Sequence, residues 1–135
     1  MHFSSRIGSI GTALGLLGVV LGALGAHALE QILEVEALES FKTGVYYLQW
    51  HGLVLVVIGF ATRQEERISR FLRWSVGLFG LGMLLFSGSI FGLVLLPLLD
   101  LHVRFLGPVT PLGGLSLMAG WVALLLHFIR PQKNK

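Results

Sequence analysis

Four long stretches without Asp, Glu, Lys or Arg are the feature of this sequence that most restricts its fold. They predict membrane spans at about residues 7–28, 44–62, 74–97 and 111–129. Each is close to the roughly 20 apolar residues that an α-helix needs to cross the hydrocarbon core of a bilayer. Of the 135 residues, 54% are hydrophobic and 13% are charged, so nearly the whole chain is used in spanning. The sequence therefore predicts one all-α membrane domain over residues 1–135, folded as a four-helix bundle.

The positions of the basic residues predict how this bundle is oriented. Eight of the ten Lys and Arg residues lie before the first span, between the second and third spans, or after the fourth, and only Lys42 and Arg104 lie on the other side. Basic residues are enriched in the cytoplasmic segments of membrane proteins. We therefore expect both termini in the cytoplasm. This placement also explains the net charge of +3 without a nucleic-acid partner.

The end of the first span has two interpretations. Residues 22–30 read GALGAHALE, and Ala26-His27-Ala28 resembles a signal-peptide cleavage site after the apolar run that follows Arg6. However, that run is longer than the about 7–15 apolar residues of a typical signal peptide. We therefore expect the first span to remain part of the protein.

Small residues recur at spacings of three and four within the spans, which places them on one face of each helix. Such a face lets a neighbouring backbone approach closely. The glycines that we expect in helix–helix contacts are Gly11, Gly15, Gly18, Gly22, Gly88, Gly92, Gly113 and Gly120.

The segment between the first two spans, residues 29–41, predicts a short amphipathic helix on the outer face of the membrane. Apolar residues recur every four positions from Leu29 to Phe41, and the glutamates fall largely between them. The acidic face would be a docking surface or lid in one interpretation. In the other, which we favour because charged helix faces are usually only solvated, the segment is a connector whose apolar stripe rests on the bundle.

Polar side chains within the spans are candidate functional groups, because burial in lipid forces them to find partners. Tyr47 and His51 are four residues apart and share a helix face. Thr110-Pro111 is typical of a helix start, with Thr110 as the N-cap. We expect a polar network, with structural hydrogen bonding as its favoured role, among His27, Tyr47, His51, Ser87, Ser89 and Thr110.

Metal binding and catalysis have less support. His27, His51 and His102 with Glu30 would suffice as ligands for zinc or copper, but no two of these histidines have a close HxxxH spacing. The chain has no cysteine and contains no phosphate-binding loop or dinucleotide fingerprint. We therefore expect no enzymatic activity and no cofactor.

Four separated strings carry a resemblance to a known family: GALGAHALE, FKTGVYYLQWHGLVL, LFSGSIFG and GPVTPLGGLSLMAGW. In this order they resemble a family of small inner-membrane proteins of unknown function that includes bacterial YgdD and YwdK. The resemblance covers about residues 8–121 and implies four spans, an uncleaved first helix and a place in the bacterial inner membrane. It implies no established activity.

Three classes of function remain open at this stage. The favoured one is a non-catalytic membrane component, with membrane lipids, a second copy of the chain or a larger membrane complex as partners. The alternatives are an oligomeric transporter of a small solute or protons that uses His27 and His51, and a histidine-based metal or haem site. Against a proton or cation pathway, the four spans contain no acidic residue.

Overall fold

Four long helices make up most of the computed structural model, which describes residues 3–65, 67–101 and 103–130. The helices are α1 (Phe3–His27), α2 (Val35–Ala61), α3 (Arg70–Leu95) and α4 (Val109–Ile129), and short 3-10 turns occupy Leu29–Gln31, Leu96–Leu99 and Arg104–Leu106. Each long helix, in three cases with an adjoining turn, is long and apolar enough to cross a membrane. The predicted all-α membrane bundle is confirmed.

The helices pack through buried positions that recur every seven residues. In α1 the buried small residues are Ser4, Gly11, Gly18 and Gly25, and α2 has the same spacing at Val45, Gly52 and Gly59. A seven-residue repeat is typical of left-handed helix pairs that cross at about 20°. Consecutive helices are neighbours, so α1 packs on α2, α2 on α3 and α3 on α4. The two middle helices are the more buried, and α1 and α4 flank them.

The segment before the second span differs from its prediction. Residues 29–41 do not form a separate helix, because α2 begins at Val35 and continues into the span without a break. Leu38 and the fully buried Phe41 pack in one cluster with Ile90 of α3. Leu38 lies seven residues before Val45, and Phe41 lies seven before the buried Leu48, so α2 extends its buried repeat into this segment. The apolar stripe therefore packs on the bundle, as the favoured interpretation expects.

Two helix pairs touch through their backbones at glycines. A Cβ atom built on Gly11 would lie 2.6 Å from the Gly52 carbonyl oxygen, and one built on Gly59 would lie 2.6 Å from the Gly8 nitrogen. On the other side of the bundle, a Cβ atom on Gly113 would collide with the backbone nitrogen of Phe86. Because a backbone cannot swing aside as a side chain can, α1–α2 and α3–α4 require glycine at these points.

The other predicted packing glycines divide into two groups. Added Cβ atoms would contact neighbouring side chains at Gly18, Gly22, Gly92 and Gly120. By contrast, Gly15 and Gly88 have no atom of another element of the described chain within 4 Å of the added Cβ. The spacing of small residues therefore identified the packed faces but not which glycines make the contact.

This division gives a matched pair of substitutions within α1. We expect Gly11→Ala to destabilise the protein by about 1–3 kcal/mol, because the new methyl group must push two backbones apart. Gly15→Ala adds the same methyl group where there is space, so its effect should stay within about 0.5 kcal/mol. Unfolding by SDS titration in detergent micelles measures both, and an equal loss in the two variants would contradict the backbone contact.

Candidate functional site

His51 lies in the interior of the bundle, at about the middle of the membrane. Its side chain is 6% exposed. It precedes the end of α2 at Ala61 by ten residues, or about 15 Å, which is half of a hydrocarbon core of about 30 Å. A polar ring at this depth has to find its hydrogen-bond partners within the protein.

Both ring nitrogens of His51 have such partners. Nδ1 lies 2.8 Å from the carbonyl oxygen of Tyr47, and Nε2 lies 3.1 Å from the indole nitrogen of Trp121. An indole N–H only donates, so Nε2 of His51 must accept and carries no proton. The ring proton therefore resides on Nδ1, which donates to the Tyr47 carbonyl. The geometry assigns His51 as a neutral imidazole with one defined tautomer.

Aromatic rings from three helices enclose this imidazole, and we call the group the His51 cluster: Tyr47, His51, Phe79 and Trp121. The Tyr47 ring stacks on His51 with centroids 5.9 Å apart, and the rings of Phe79 and Trp121 lie 5.3 and 6.0 Å from it. A Cβ atom on Gly120 would come within 2.7 Å of the Phe79 ring, so this glycine makes room for the cluster. The cluster joins α2, α3 and α4.

A second polar contact joins α3 to α4 nearer the other end of the bundle. The Ser89 and Thr110 hydroxyl oxygens are 2.7 Å apart, and Ser89 donates to the Phe86 carbonyl oxygen at 3.0 Å. Thr110 is not the predicted N-cap, because α4 begins at Val109, two residues before the predicted start at Pro111, and Pro108 occupies the cap position. Its hydroxyl is thus placed against a neighbouring helix instead of its own helix start.

The remaining members of the predicted network lie apart from these contacts. Ser87 is buried, and its hydroxyl has no hydrogen-bond partner among the described residues. His27 is exposed at the end of α1, just beyond Gly25, which packs on Phe41. Phe41 precedes His51 by ten residues of α2, or about 15 Å. The structure thus brings Tyr47 to His51, but it keeps His27 far from both.

The candidate metal ligands are likewise dispersed. Across residues 3–65, 67–101 and 103–130, no three His, Asp or Glu side chains are grouped closely enough to hold a metal ion. Glu30 is exposed in the turn after α1, and His102 lies outside the described residues.

A polar contact that was not predicted from the sequence closes the opposite end of α4. Ser69 lies 2.8 Å from Nδ1 of His127, and its hydroxyl also accepts from the Leu72 backbone as the N-cap of α3. This contact fixes the end of α4 against the start of α3. Ser69 and His127 are 58 residues apart, so no local spacing indicates their meeting.

A crevice of about 1150 Å³ lies between α2 and α4, with the His51–Trp121 contact at one end and the Ser69–His127 contact at the other. We call it the α2–α4 crevice. Apolar side chains of both helices line its length, among them Leu53, Val57, Leu124 and Phe128. The end of the crevice at the α2–α3 loop is polar, and we call it the floor. It is formed by the end of α2, the loop and His127, and it includes Thr62, Gln64, Glu65, Arg67 and Ser69.

Comparison with known proteins gives matches over most of the chain. The model of a family described as "Protein of unknown function (DUF423)" matches residues 21–114. The UPF0382 inner membrane protein YgdD of Escherichia coli K12 is 38% identical over 120 residues, which cover 89% of this chain and 86% of that protein. The UPF0382 membrane protein C1782.12c of Schizosaccharomyces pombe is 36% identical, over 89% of this chain and 98% of its own length.

A further match is the UPF0382 membrane protein SH2409 of Staphylococcus haemolyticus, which is 35% identical over 87% of this chain and 89% of its own length. No solved structure matches the chain.

The His51–Trp121 hydrogen bond can be tested by a double-mutant cycle of His51→Phe and Trp121→Phe. We expect a coupling energy of about 0.6–1.7 kcal/mol, the range for hydrogen bonds between membrane helices. The matched control combines His51→Phe with Ser116→Ala, since Ser116 donates to the Leu78 carbonyl oxygen and shares no partner with His51. The control pair should be additive within about 0.5 kcal/mol, and the same additivity for His51 and Trp121 would contradict the bond.

Proposed function

We propose that this chain, which belongs to the DUF423 family and is a small integral membrane protein, is a non-catalytic component of the membrane. It acts by packing and by binding lipid or other membrane chains. One observation carries the proposal: His51, a buried ionisable group at mid-membrane, has both ring nitrogens engaged in hydrogen bonds within the bundle. Its polar atoms serve helix packing and leave no ring nitrogen for a substrate.

The alternatives have less support from the same geometry. A proton relay through His27 and His51 has to cross more than about 15 Å between them. It also needs a ring nitrogen that exchanges its proton, whereas Nε2 of His51 accepts the Trp121 donor and Nδ1 donates to a carbonyl. For a metal ion, no three His, Asp or Glu side chains are grouped together among the described residues.

The proposed orientation places the α2–α3 loop in the cytoplasm of a bacterium. Since the four spans alternate in direction, the start of α1, the end of α4 and this loop lie at the same end of the bundle. The loop and the start of α3 contribute Arg63, Arg67, Arg70 and Arg73 to this end, which favours the cytoplasmic side of the inner membrane.

Single-cysteine labelling tests the orientation, because the chain has no cysteine of its own. We expect Glu30→Cys, exposed in the turn after α1, to react with a membrane-impermeant maleimide in intact spheroplasts. Gln64→Cys, exposed in the α2–α3 loop, should react only after lysis. The reverse pattern of labelling would contradict the proposed orientation.

Gentle solubilisation followed by native mass spectrometry tests the function itself. We expect the protein to emerge with bound phospholipid, with further copies of itself, or with a reproducible partner chain. The control is the same preparation after exchange into a harsh delipidating detergent, in which the added mass should be lost. A lone monomer without lipid or partner under the gentle condition would remove the basis of the proposal.

A further inference from the structure

The α2–α4 crevice has the length of one bilayer leaflet. It runs along α2 from Trp50 to Ala61, a distance of eleven residues or about 16 Å. Half of a hydrocarbon core of about 30 Å is about 15 Å. Trp50 and Trp121 stand at the deep end, and the α2–α3 loop stands at the membrane surface. A crevice of this length matches the hydrocarbon part of a lipid from a single leaflet.

The walls of the crevice suit an acyl chain and open toward the bilayer. Leu53 and Val57 of α2 are 53% and 58% exposed, and Phe128 of α4 is 75% exposed. At this depth an exposed side chain faces lipid, because no water is present in the hydrocarbon region. The occupant therefore enters sideways from the membrane, and a water-soluble ligand is disfavoured.

Among the described residues, the floor of the crevice carries one positive and one negative side chain. Arg67 and Glu65 both line it and both are exposed. Within the described part of the chain the one ion pair joins Lys42 to Glu39, so Arg67 and Glu65 are not paired with each other. Ser69 and His127 already bond to one another there. The two charges of the floor thus remain as contacts for a ligand.

These two charges determine which class of lipid fits the crevice. An arginine guanidinium binds a phosphate through charge-assisted hydrogen bonds, and a carboxylate accepts hydrogen bonds from an ammonium group. An acidic lipid without an amine, such as phosphatidylglycerol, would satisfy only Arg67, and four arginines with two glutamates fall short of a dense basic cluster for acidic lipids. A zwitterionic headgroup with N–H donors satisfies both residues.

We propose that the α2–α4 crevice binds one phosphatidylethanolamine molecule from the leaflet at the loop end. Arg67 binds the phosphate, Glu65 accepts from the ammonium group, and one acyl chain lies between α2 and α4 up to Trp50 and Trp121. This inference rests on the proposed function, since it names the lipid that such a membrane component binds.

Quenching of tryptophan fluorescence by brominated lipid tests the site, because two of the three tryptophans stand at its deep end. Trp74, which lies outside the crevice, is removed by Trp74→Phe in every sample. The protein is reconstituted into phosphatidylcholine vesicles that contain a small fraction of chain-brominated phosphatidylethanolamine, phosphatidylcholine or phosphatidylglycerol. We expect phosphatidylethanolamine to quench most at equal mole fraction, with an apparent affinity about fivefold above that of phosphatidylcholine.

Three variants assign the contacts, each with a matched control. Arg67→Gln should lower the affinity for all three phospholipids, and Arg73→Gln, which removes a charge outside the crevice, should leave it unchanged. Glu65→Gln should abolish only the preference for phosphatidylethanolamine over phosphatidylcholine, with Glu36→Gln at the opposite end of the bundle as its control. Ala61→Phe should exclude the lipid from the crevice, whereas Ala119→Phe, which is also exposed but lies on α4 outside the crevice, should not.

Circular dichroism and a single elution peak establish that each variant is folded, and all the substituted residues in these three pairs are exposed. Equal quenching by the three headgroups, or equal losses in Arg67→Gln and Arg73→Gln, would overturn the crevice site. A preference for phosphatidylglycerol would overturn it as well, in favour of general attraction to the basic loop. If lipid or partner chains still co-purify in these cases, the proposed function stands without this site.

Discussion

Close contact between helix backbones is the constraint on which this structure depends. Between helices in lipid there is no hydrophobic gain of the kind that drives soluble proteins, because lipid tails are as apolar as leucine. Association must come from tight packing and from hydrogen bonds. The contacts of Gly11 with Gly52 and of Gly113 with Phe86 supply the tight packing, in α1–α2 and in α3–α4. The bundle is thus two closely packed hairpins joined along α2 and α3.

The hydrogen bonds add ties of a second kind, and one of them links two helices that are not a tight pair. The His51–Trp121 bond joins α2 to α4 at mid-membrane. The Ser69–His127 contact holds the other end of that stretch of α4 against the start of α3. Between these two ties α2 and α4 do not close on each other, and the α2–α4 crevice is the space that remains. Polar residues within a span are candidates for a functional site, and here they mark the two ends of the α2–α4 crevice.

Patterns in the local sequence predicted the membrane spans and the packed faces of the helices. Charge-free stretches identified the four spans, and small residues at threes and fours identified the packed faces. The same patterns could not separate Gly11 from Gly15, because the identity of the contacting glycine depends on how a second helix is rotated against the first. Nor could they show that residues 35–41 belong to α2, since their apolar stripe fits either an interfacial helix or an extension of the span.

The site was less predictable for a related reason. Tyr47 and His51 lie four residues apart, so the sequence alone placed them on one face. Trp121, Ser69 and His127 reach their partners across 70 or 58 residues of chain, and only the tertiary packing brings them together. His27 shows the converse, because its position in the first predicted span said nothing about its distance from His51.

Trp121 connects the interior of the bundle to the membrane around it. Its indole nitrogen donates to His51, while its ring is 48% exposed and forms part of the deep end of the crevice. A lipid chain against this ring keeps the bond to His51 in an apolar environment, where a hydrogen bond is electrostatically stronger than in water. Occupancy of the crevice and the stability of the His51 cluster should therefore be coupled, so that the lipid acts as a structural element of the bundle.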